Sequence, residues 1–231
     1  MVHAEVELPI AGTAVILRDS ARGPEALMMR RPDRGSFASG WVFPGGKVDP
    51  GDRVVAGDAL RGERESARRA AVREVQEEVG LDLTECVALS RWHPPAHVPV
   101  RIRTWFFVAP DPGGEVMPAA DEVVETRWMT PEEALVRHAD GEIVLFPPTW
   151  VTLQSLTGSE RVVDILAQTR LREEHAALFT TQLLDAPEGQ IFLWEGDEEH
   201  ASGGVPGGRH RLETAMLPWR FTRTGCDPVS S

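Results

Sequence analysis

Three glutamates lie close together in the sequence and are candidates for binding a metal ion. Glu74, Glu77 and Glu78 occupy positions i, i+3 and i+4, so on a helix their carboxylates emerge from one face. Hard cations such as Mg²⁺ prefer carboxylate and water oxygens. The same triplet also fits a solvated acidic face, since repulsion between such neighbours costs only about 0.2–0.5 kcal/mol per pair. The helix alone therefore does not decide between an ion site and a surface feature.

A glycine-rich stretch ahead of these glutamates is a candidate for holding a phosphate group. The segment FPGGKVDPGD spans residues 43–52 and contains two adjacent glycines, Gly45 and Gly46. Glycine permits close approach of a ligand, and such turns present backbone groups to anions. Other chemistries have less support. The sequence contains no G-x-S-x-G motif, GGVPGG lacks the Lys-Ser/Thr of a phosphate loop, and no zinc-type spacing links the histidines and cysteines.

The elements that must position these residues alternate between strands and helices. Alanines and valines recur every four residues from position 67 to 79, and Gly80 follows, which predicts a helix over 63–79 that carries the glutamates. Further helices are predicted at 131–139, 149–156 and 159–179. Strands are predicted at 7–19, 24–32, 40–48, 84–92, 101–109, 122–130, 190–196, 209–216 and 218–223.

Composition limits the class of the protein and its partners. The chain has 231 residues, of which 42% are hydrophobic and 26% charged, as expected for one domain with a sizeable core. A formal net charge of −12 argues against a general nucleic-acid binder, whereas bound divalent cations would still allow a phosphate substrate. The N-terminus lacks the pattern of a signal peptide, no apolar run is long enough to cross a membrane, and two cysteines are too few for a disulfide framework. We therefore expect a cytoplasmic protein.

Together, the loop and the acidic helix resemble the signature of the Nudix hydrolases, G-x5-E-x7-R-E-U-x-E-E-x-G-U, where U is apolar. The segment REVQEEVGL at 73–81 matches the second half at every specified position. The spacing departs from the pattern: counted from Gly46, the arginine is expected at position 60 and stands at 73, an excess of 13 residues. Asp52 stands after Gly46 with five residues between them, and Glu65 stands before Arg73 with seven residues between them, as the two halves of the pattern require. An insertion at about 53–64 therefore separates the two halves.

The resemblance implies an α+β fold, an αβα sandwich with a mixed sheet, as a single domain over residues 1–231. We expect a mainly helical elaboration in the C-terminal third, at about 142–188. The resemblance also implies a hydrolase of a diphosphate linked to another moiety, with Mg²⁺ or Mn²⁺ as cofactor. The implied metal ligands are Glu74, Glu77, Glu78 and Gly46, and the implied catalytic residues are Glu74, Glu77, Glu122 and Arg73. Arg73 is expected to orient a glutamate, and Glu125 is an alternative to Glu122.

Several further stretches resemble the peroxisomal coenzyme A diphosphatases and their bacterial relatives. PVRIRTWFFVA at 99–109 is similar to a strand of that branch, although Ile102 and Arg103 stand where phenylalanine and aspartate are usual. The resemblance implies coenzyme A or an acyl derivative as substrate. Residues expected to contact substrate phosphates are Arg30, Arg31, Lys47, Arg101 and Arg103.

Other functions remain open from the sequence. The same chemistry on ADP-ribose, a nucleotide sugar or NADH is the nearest alternative. A non-catalytic domain that senses a nucleotide is an alternative of another class, and the intact glutamates argue against it. The expected partner is a small-molecule diphosphate, with homodimerisation left open and no nucleic acid or membrane.

Overall fold

Within the described residues, a mixed sheet of eight strands is the centre of the molecule. The computed structural model describes residues 8–35, 37–53, 61–187 and 189–226. The strands are β1 (Ile10–Ser20), β2 (Gly23–Arg30), β3 (Trp41–Val42), β4 (Gly45–Lys47), β5 (Val87–His93), β6 (Arg103–Pro110), β7 (Glu125–Met129) and β8 (Ala177–Thr180). Their order is β3-β2-β1-β6-β5-β8, with β4 pairing with β1 and β7 with β2. The β1–β6 and β5–β8 pairs are parallel and the others antiparallel.

Both faces of this sheet are buried beneath helices. Along β1, Val15 and Leu17 belong to one hydrophobic cluster while Ala14 and Ile16 belong to the other, as the two-residue period of a strand requires. The helices are α1 (Pro50–Arg53), α2 (Glu63–Val79), α3 (Pro131–Ala139), α4 (Pro147–Leu156) and α5 (Val162–Arg172). Helix α2 packs in the second cluster, whereas α3, α4 and α5 contribute to the first. The predicted α+β fold with a mixed sheet is confirmed.

Helix α2 packs against β1 at very short range. Its buried stripe consists of small residues and valines: Ala67, Ala70, Ala71, Val75 and Val79. Gly12 on β1 faces this stripe, and a Cβ atom there would overlap the backbone carbonyl of Ala67. Gly80 ends the helix in the left-handed conformation, with φ of 72°, which glycine adopts at little cost.

A second sheet follows the helices. In the described part of the chain it has four antiparallel strands, in the order β12-β11-β10-β9: β9 (Gln182–Ala186), β10 (Gly189–Leu193), β11 (Arg209–Glu213) and β12 (Arg220–Thr224). We call this the C-terminal sheet. It joins the first core cluster through aromatic contacts: Trp92 on β5 stacks on Phe179 of β8 at 4.0 Å, and Trp194 meets both rings edge-on at 5.6 Å.

The predicted helical elaboration at 142–188 is only partly correct. Helices α4 and α5 lie within it, but residues 177–186 form strands β8 and β9, so the C-terminal third is not mainly helical. The apolar run Ala177–Phe179 continues the helical pattern of α5 in sequence, yet pairing with β5 and stacking on Trp92 fix it as a strand. Most of the predicted insertion, residues 54–60, lies outside the described residues. Within the described part of the chain, no helix is long and apolar enough to span a bilayer.

Candidate active site

The fold brings the glycine loop and the acidic helix into direct contact. The backbone N–H of Gly45 donates a hydrogen bond to Glu78 Oε2 at 2.8 Å. Gly46 lies against the carboxylate of Glu74, so closely that a Cβ atom at position 46 would overlap it. Strand β4 holds both glycines beside Gly12 and Thr13 of β1. The two halves of the motif therefore form one site despite the insertion.

Glu78 is the most buried carboxylate of this site. The residue is 1% exposed, and Arg31 Nη1 donates to its Oε1 at 3.2 Å. Burial raises the pKa of Glu78 to about 7, although the Gly45 N–H and the Arg31 charge work in the opposite direction. Burial without full compensation makes this carboxylate a favourable place for an added positive charge.

Glu74 lies next to Glu78 and has a similar environment. Burial raises the pKa of Glu74, and the charges of Glu77 and Glu122 add to that rise, while Arg73 opposes it. Glu122 also acts on Glu78 in the same direction, which places it within electrostatic reach of both carboxylates. The site therefore concentrates negative charge at the junction of loop and helix.

Arg73 holds the acidic cluster together. Its Nη1 donates to Glu74 and Glu77, each at 2.9 Å, and its Nη2 donates to the Lys47 carbonyl at 3.0 Å and to Asp52 at 3.1 Å. Burial works against the charge of Arg73, but the hydrogen bonds to Asp52 and Glu74 outweigh it and raise the pKa. Arg73 thus ties α2 to the loop, and Glu77 remains 53% exposed at its side chain.

Asp52 occupies the position that the motif assigns to its first acidic residue. Asp52 is 5% exposed, and besides Arg73 it accepts the backbone N–H of Asp49 at 2.9 Å. Glu65, the other possibility from the spacing, pairs instead with Arg68 at 2.5 Å. The motif spacing identifies the position of Asp52 but does not predict its hydrogen bond to Arg73. The distance from Gly46 along the chain was the available signal.

A cleft of about 690 Å³ opens above the buried carboxylates. Glu74, Glu78 and both loop glycines line one end, and Glu122 reaches the same cleft. Glu125, the alternative to Glu122, pairs with Arg127 at 2.7 Å on strand β7. The cleft is also lined by aromatic residues, prolines and aliphatic residues, which include Phe37, Phe106, Phe146, Pro147, Val98, Ile102, Phe192 and Trp194.

The arginines and lysine predicted to contact substrate fall into three places. Arg31 and Lys47 line the cleft beside the carboxylates. Arg101 and Arg103 line a second cleft of about 1190 Å³. Arg30 is engaged with Glu125 at 3.7 Å. The fold therefore separates the predicted residues instead of gathering them at one phosphate position.

The second cleft adjoins the first. The two share His93, Pro94, Pro95, Val98, Pro99 and Thr181 as lining residues. In the second cleft Arg103 pairs with Glu63 at 3.0 Å. A substrate extending past the loop at 93–99 would reach the basic residues of this second cleft.

Comparison with protein families matches residues 8–147 to the NUDIX domain. The chain belongs to the NUDIX family. A CTP pyrophosphohydrolase of Escherichia coli (strain K12) is 33% identical over 124 residues, which are 53% of this chain and 76% of that protein. An 8-oxo-dGTP diphosphatase of Proteus vulgaris is 33% identical over 60 residues, 26% of this chain and 42% of that protein. This Nudix chain is therefore a pyrophosphohydrolase, an enzyme that cleaves a phosphorus acid anhydride.

The fold of this Nudix hydrolase is also found among solved structures. A NUDIX hydrolase from Alicyclobacillus acidocaldarius superposes with a TM-score of 0.62 at 23% identity, covering 71% of this chain and 97% of that one. At this identity the likeness concerns the fold alone. The family match ends at residue 147, so α5 and the C-terminal sheet follow the matched segment.

Proposed function

We propose that this Nudix hydrolase cleaves the diphosphate bond of a nucleoside diphosphate linked to another moiety, using Mg²⁺ or Mn²⁺. The observation that carries the proposal is the pair of carboxylates, the partly buried Glu74 and the buried Glu78, which line a cleft beside a glycine loop. Their raised pKa values mean that the folded protein holds these charges at a cost, which a divalent cation would offset.

The donor set fits a hard cation. Carboxylate oxygens of Glu74, Glu77 and Glu78 and the backbone carbonyl of Gly46 are the ligand types that Mg²⁺ and Mn²⁺ accept. In the described residues, no three His, Cys, Asp or Glu side chains converge as an ion site, and the carboxylates of Glu74 and Glu78 are hydrogen-bonded to Arg73, Arg31 and Gly45. When bound, such an ion neutralises diphosphate charge and lowers the pKa of a bound water.

The protein residues then have distinct roles. Arg73 fixes the orientation of Glu74 and Glu77 through its paired hydrogen bonds. Lys47 and Arg31, which line the cleft beside the carboxylates, bind phosphate oxygens. To Glu122, which is exposed on the turn before β7 and lines the cleft, we assign the role of accepting a proton from an attacking water.

Coenzyme A or an acyl derivative is the substrate we favour. The apolar residues that line the first cleft suit an uncharged arm, and Arg101 and Arg103 of the adjoining cleft offer charges for a further phosphate. A nucleoside triphosphate is the second candidate, supported by the 33% identity to a CTP pyrophosphohydrolase.

A panel of diphosphates tests the proposal. Phosphate-containing products are measured with coenzyme A, dephospho-coenzyme A, ADP-ribose, NADH, CTP and 8-oxo-dGTP, each with Mg²⁺ and with Mn²⁺. We expect metal-dependent cleavage, with coenzyme A exceeding dephospho-coenzyme A by about tenfold or more in kcat/KM, because a charged hydrogen bond to the extra phosphate contributes about 1.5–3 kcal/mol. Better turnover of CTP or ADP-ribose would replace the substrate and retain the chemistry. No turnover of any compound, with binding preserved, would indicate a sensor.

A further inference from the structure

Part of the lining of the first cleft comes from residues that follow the Nudix-matched segment. Thr181, Phe192 and Trp194 line the first cleft, and all three come after residue 147, where the family match ends. Phe192 lies on β10 of the C-terminal sheet, and its side chain is partly buried against the first core cluster. Residues of the eight-stranded sheet and of the C-terminal sheet therefore both line the cleft.

This part of the cleft lining is held in a fixed position. Trp194 is fully buried, and its indole Nε1–H donates to Thr181 Oγ1 at 3.0 Å. Its ring also meets Trp92 and Phe179 edge-on, and these two rings stack in parallel with an interplanar angle of 1°. Offset and edge-to-face aromatic pairs favour defined geometry. The strand that carries Phe192 is thereby anchored to β5 and β8 of the large sheet.

Charge is unevenly distributed along the cleft. Among its described lining residues, the ionisable side chains other than His93 are confined to the catalytic loop, the acidic helix and the segments flanking them: Arg31, Arg34, Lys47, Glu74, Glu78 and Glu122. Burial, together with the Arg91 charge, lowers the pKa of His93 and favours its neutral form. The part of the cleft wall formed by Phe192 and Ile102, which are both partly exposed, therefore offers apolar surface and no formal charge.

We propose that the C-terminal sheet gives this enzyme its selectivity, by favouring diphosphates whose second group is an uncharged, largely apolar chain, with Phe192 as a specificity-determining residue. The inference rests on the proposed hydrolysis of a nucleoside diphosphate. A chain attached to the second phosphate would leave the carboxylate end of the cleft and run along the wall that contains Phe192. Burial of each methylene there would contribute through the hydrophobic effect.

A homologous series of substrates tests this assignment. The compounds are adenosine diphosphate esters in which the second phosphate carries a methyl, butyl or octyl group, so that nucleotide and diphosphate stay constant. For the unsubstituted protein we expect kcat/KM to rise by roughly threefold to fourfold for each methylene that enters the cleft. The octyl-to-methyl ratio of kcat/KM should fall by at least about tenfold in Phe192→Ser, mainly through a higher KM for the octyl ester.

Ile191 provides a matched control. Ile191 precedes Phe192 on the same strand and so points to the opposite face of the sheet. Ile191→Ser should keep the octyl-to-methyl ratio of the unsubstituted protein, and Phe192→Leu, which stays apolar, should retain most of it even if the serine variant folds poorly. Equal rates across the ester series in the unsubstituted protein, or an equal loss of the ratio in both serine variants, would overturn the assignment. Failure to cleave any ester, or any compound of the diphosphate panel, would instead refute the proposed function.

Discussion

Glu78 combines deep burial, a hydrogen bond from the loop and a position at the cleft end, so its substitution is the sharpest test of the ion site. Glu78→Gln keeps the shape and the acceptor for Gly45 but removes the charge. We expect turnover to collapse and Mn²⁺ binding to weaken by more than the about 10–100-fold typical for loss of a residue that only supports a ligand. Calorimetric titration with Mn²⁺ measures the affinity.

A surface glutamate serves as the control for that substitution. Glu142 is 57% exposed at its side chain and pairs with Arg137 away from the cleft. Glu142→Gln should leave turnover and Mn²⁺ affinity as they are. Unchanged Mn²⁺ affinity in Glu78→Gln would remove this carboxylate from the ligand set.

We expect Asp52 to serve as the first acidic residue of the motif, by accepting hydrogen bonds from Arg73 and from the Asp49 N–H. In Asp52→Ala, Arg73 and the Asp49 N–H lose a buried acceptor, which should cost about 1–3 kcal/mol of unfolding free energy and lower kcat by roughly tenfold. Urea unfolding and steady-state kinetics give the two quantities. Glu65→Ala is the comparison, because Glu65 contacts Arg68 instead. A larger loss of kcat from the Glu65 substitution would reverse the assignment.

At the scale of elements, the close packing of α2 on β1 sets the position of the acidic helix. Gly12→Ala introduces a methyl group that overlaps the backbone carbonyl of Ala67. The atoms in contact belong to the backbone of α2, which cannot move aside as a flexible side chain could. We expect a loss of about 1–3 kcal/mol in unfolding free energy, together with lower activity as α2 is displaced from the loop. Chemical denaturation followed by circular dichroism measures the stability.

Gly51 offers a comparison for that prediction. A Cβ atom at Gly51 would meet no atom within 4 Å, and the residue lies within α1. Gly51→Ala should be neutral or slightly stabilising, since alanine favours helix. A destabilisation of Gly51→Ala equal to that of Gly12→Ala would mean that packing against α2 is not the cause.

The elements that were predictable from sequence are those with a clear internal pattern. The period of Ala67, Ala71, Val75 and Val79, ended by Gly80, gave α2 its correct bounds, because a helix that packs on one face shows its period locally. Strand β8 was not predictable in this way. Its four residues continue an apolar helical pattern, and only the partner strand β5, far away in sequence, determines their conformation.

The same distinction between local patterns and long-range contacts applies to the residues of the site. Residues close together in sequence, such as Glu74 and Glu78, are identifiable from their spacing, because the helix fixes the relative positions of their side chains. The cleft wall at Phe192 is not, because it depends on how two sheets meet. Asp52 lies between these cases: its position in the motif was visible, but its bond to Arg73 spans the insertion.

At the scale of the whole molecule, buried histidines make stability depend on pH. Burial lowers the pKa of His138 and of His210. In the unfolded chain an imidazole takes up its proton as the pH falls below about 6.5, whereas these folded ones stay neutral to lower pH. Each therefore reduces the free energy of unfolding as the pH falls from 7.5 to 5.5. Glu78 acts in the opposite direction, since its pKa is raised to about 7.

Comparison with a variant isolates the histidine contribution. The stability of the unsubstituted protein relative to His138→Gln should decrease from pH 7.5 to pH 5.5, by at most about 1.4 kcal/mol per pH unit. Urea unfolding at the two pH values provides the measurement, and substitution of the exposed His97 is the control. A difference that stays constant between the two pH values would show that His138 does not titrate differently on folding.

The parallel pairing of β5 with β8 affects how the protein folds while it is being synthesised on the ribosome. Synthesis proceeds from the N-terminus at about 5–20 residues per second. Phe192 is therefore added to the chain about 6–23 seconds after Glu78, the last of the three helix glutamates. Until Phe179 has been made, Trp92 lacks the ring on which it stacks, and β5 lacks its neighbour at the sheet edge. The nascent chain therefore presents an aromatic, unpaired strand edge. During that interval the exposed edge of β5 is most accessible to a chaperone. It is also most able to pair incorrectly with a strand of a neighbouring nascent chain.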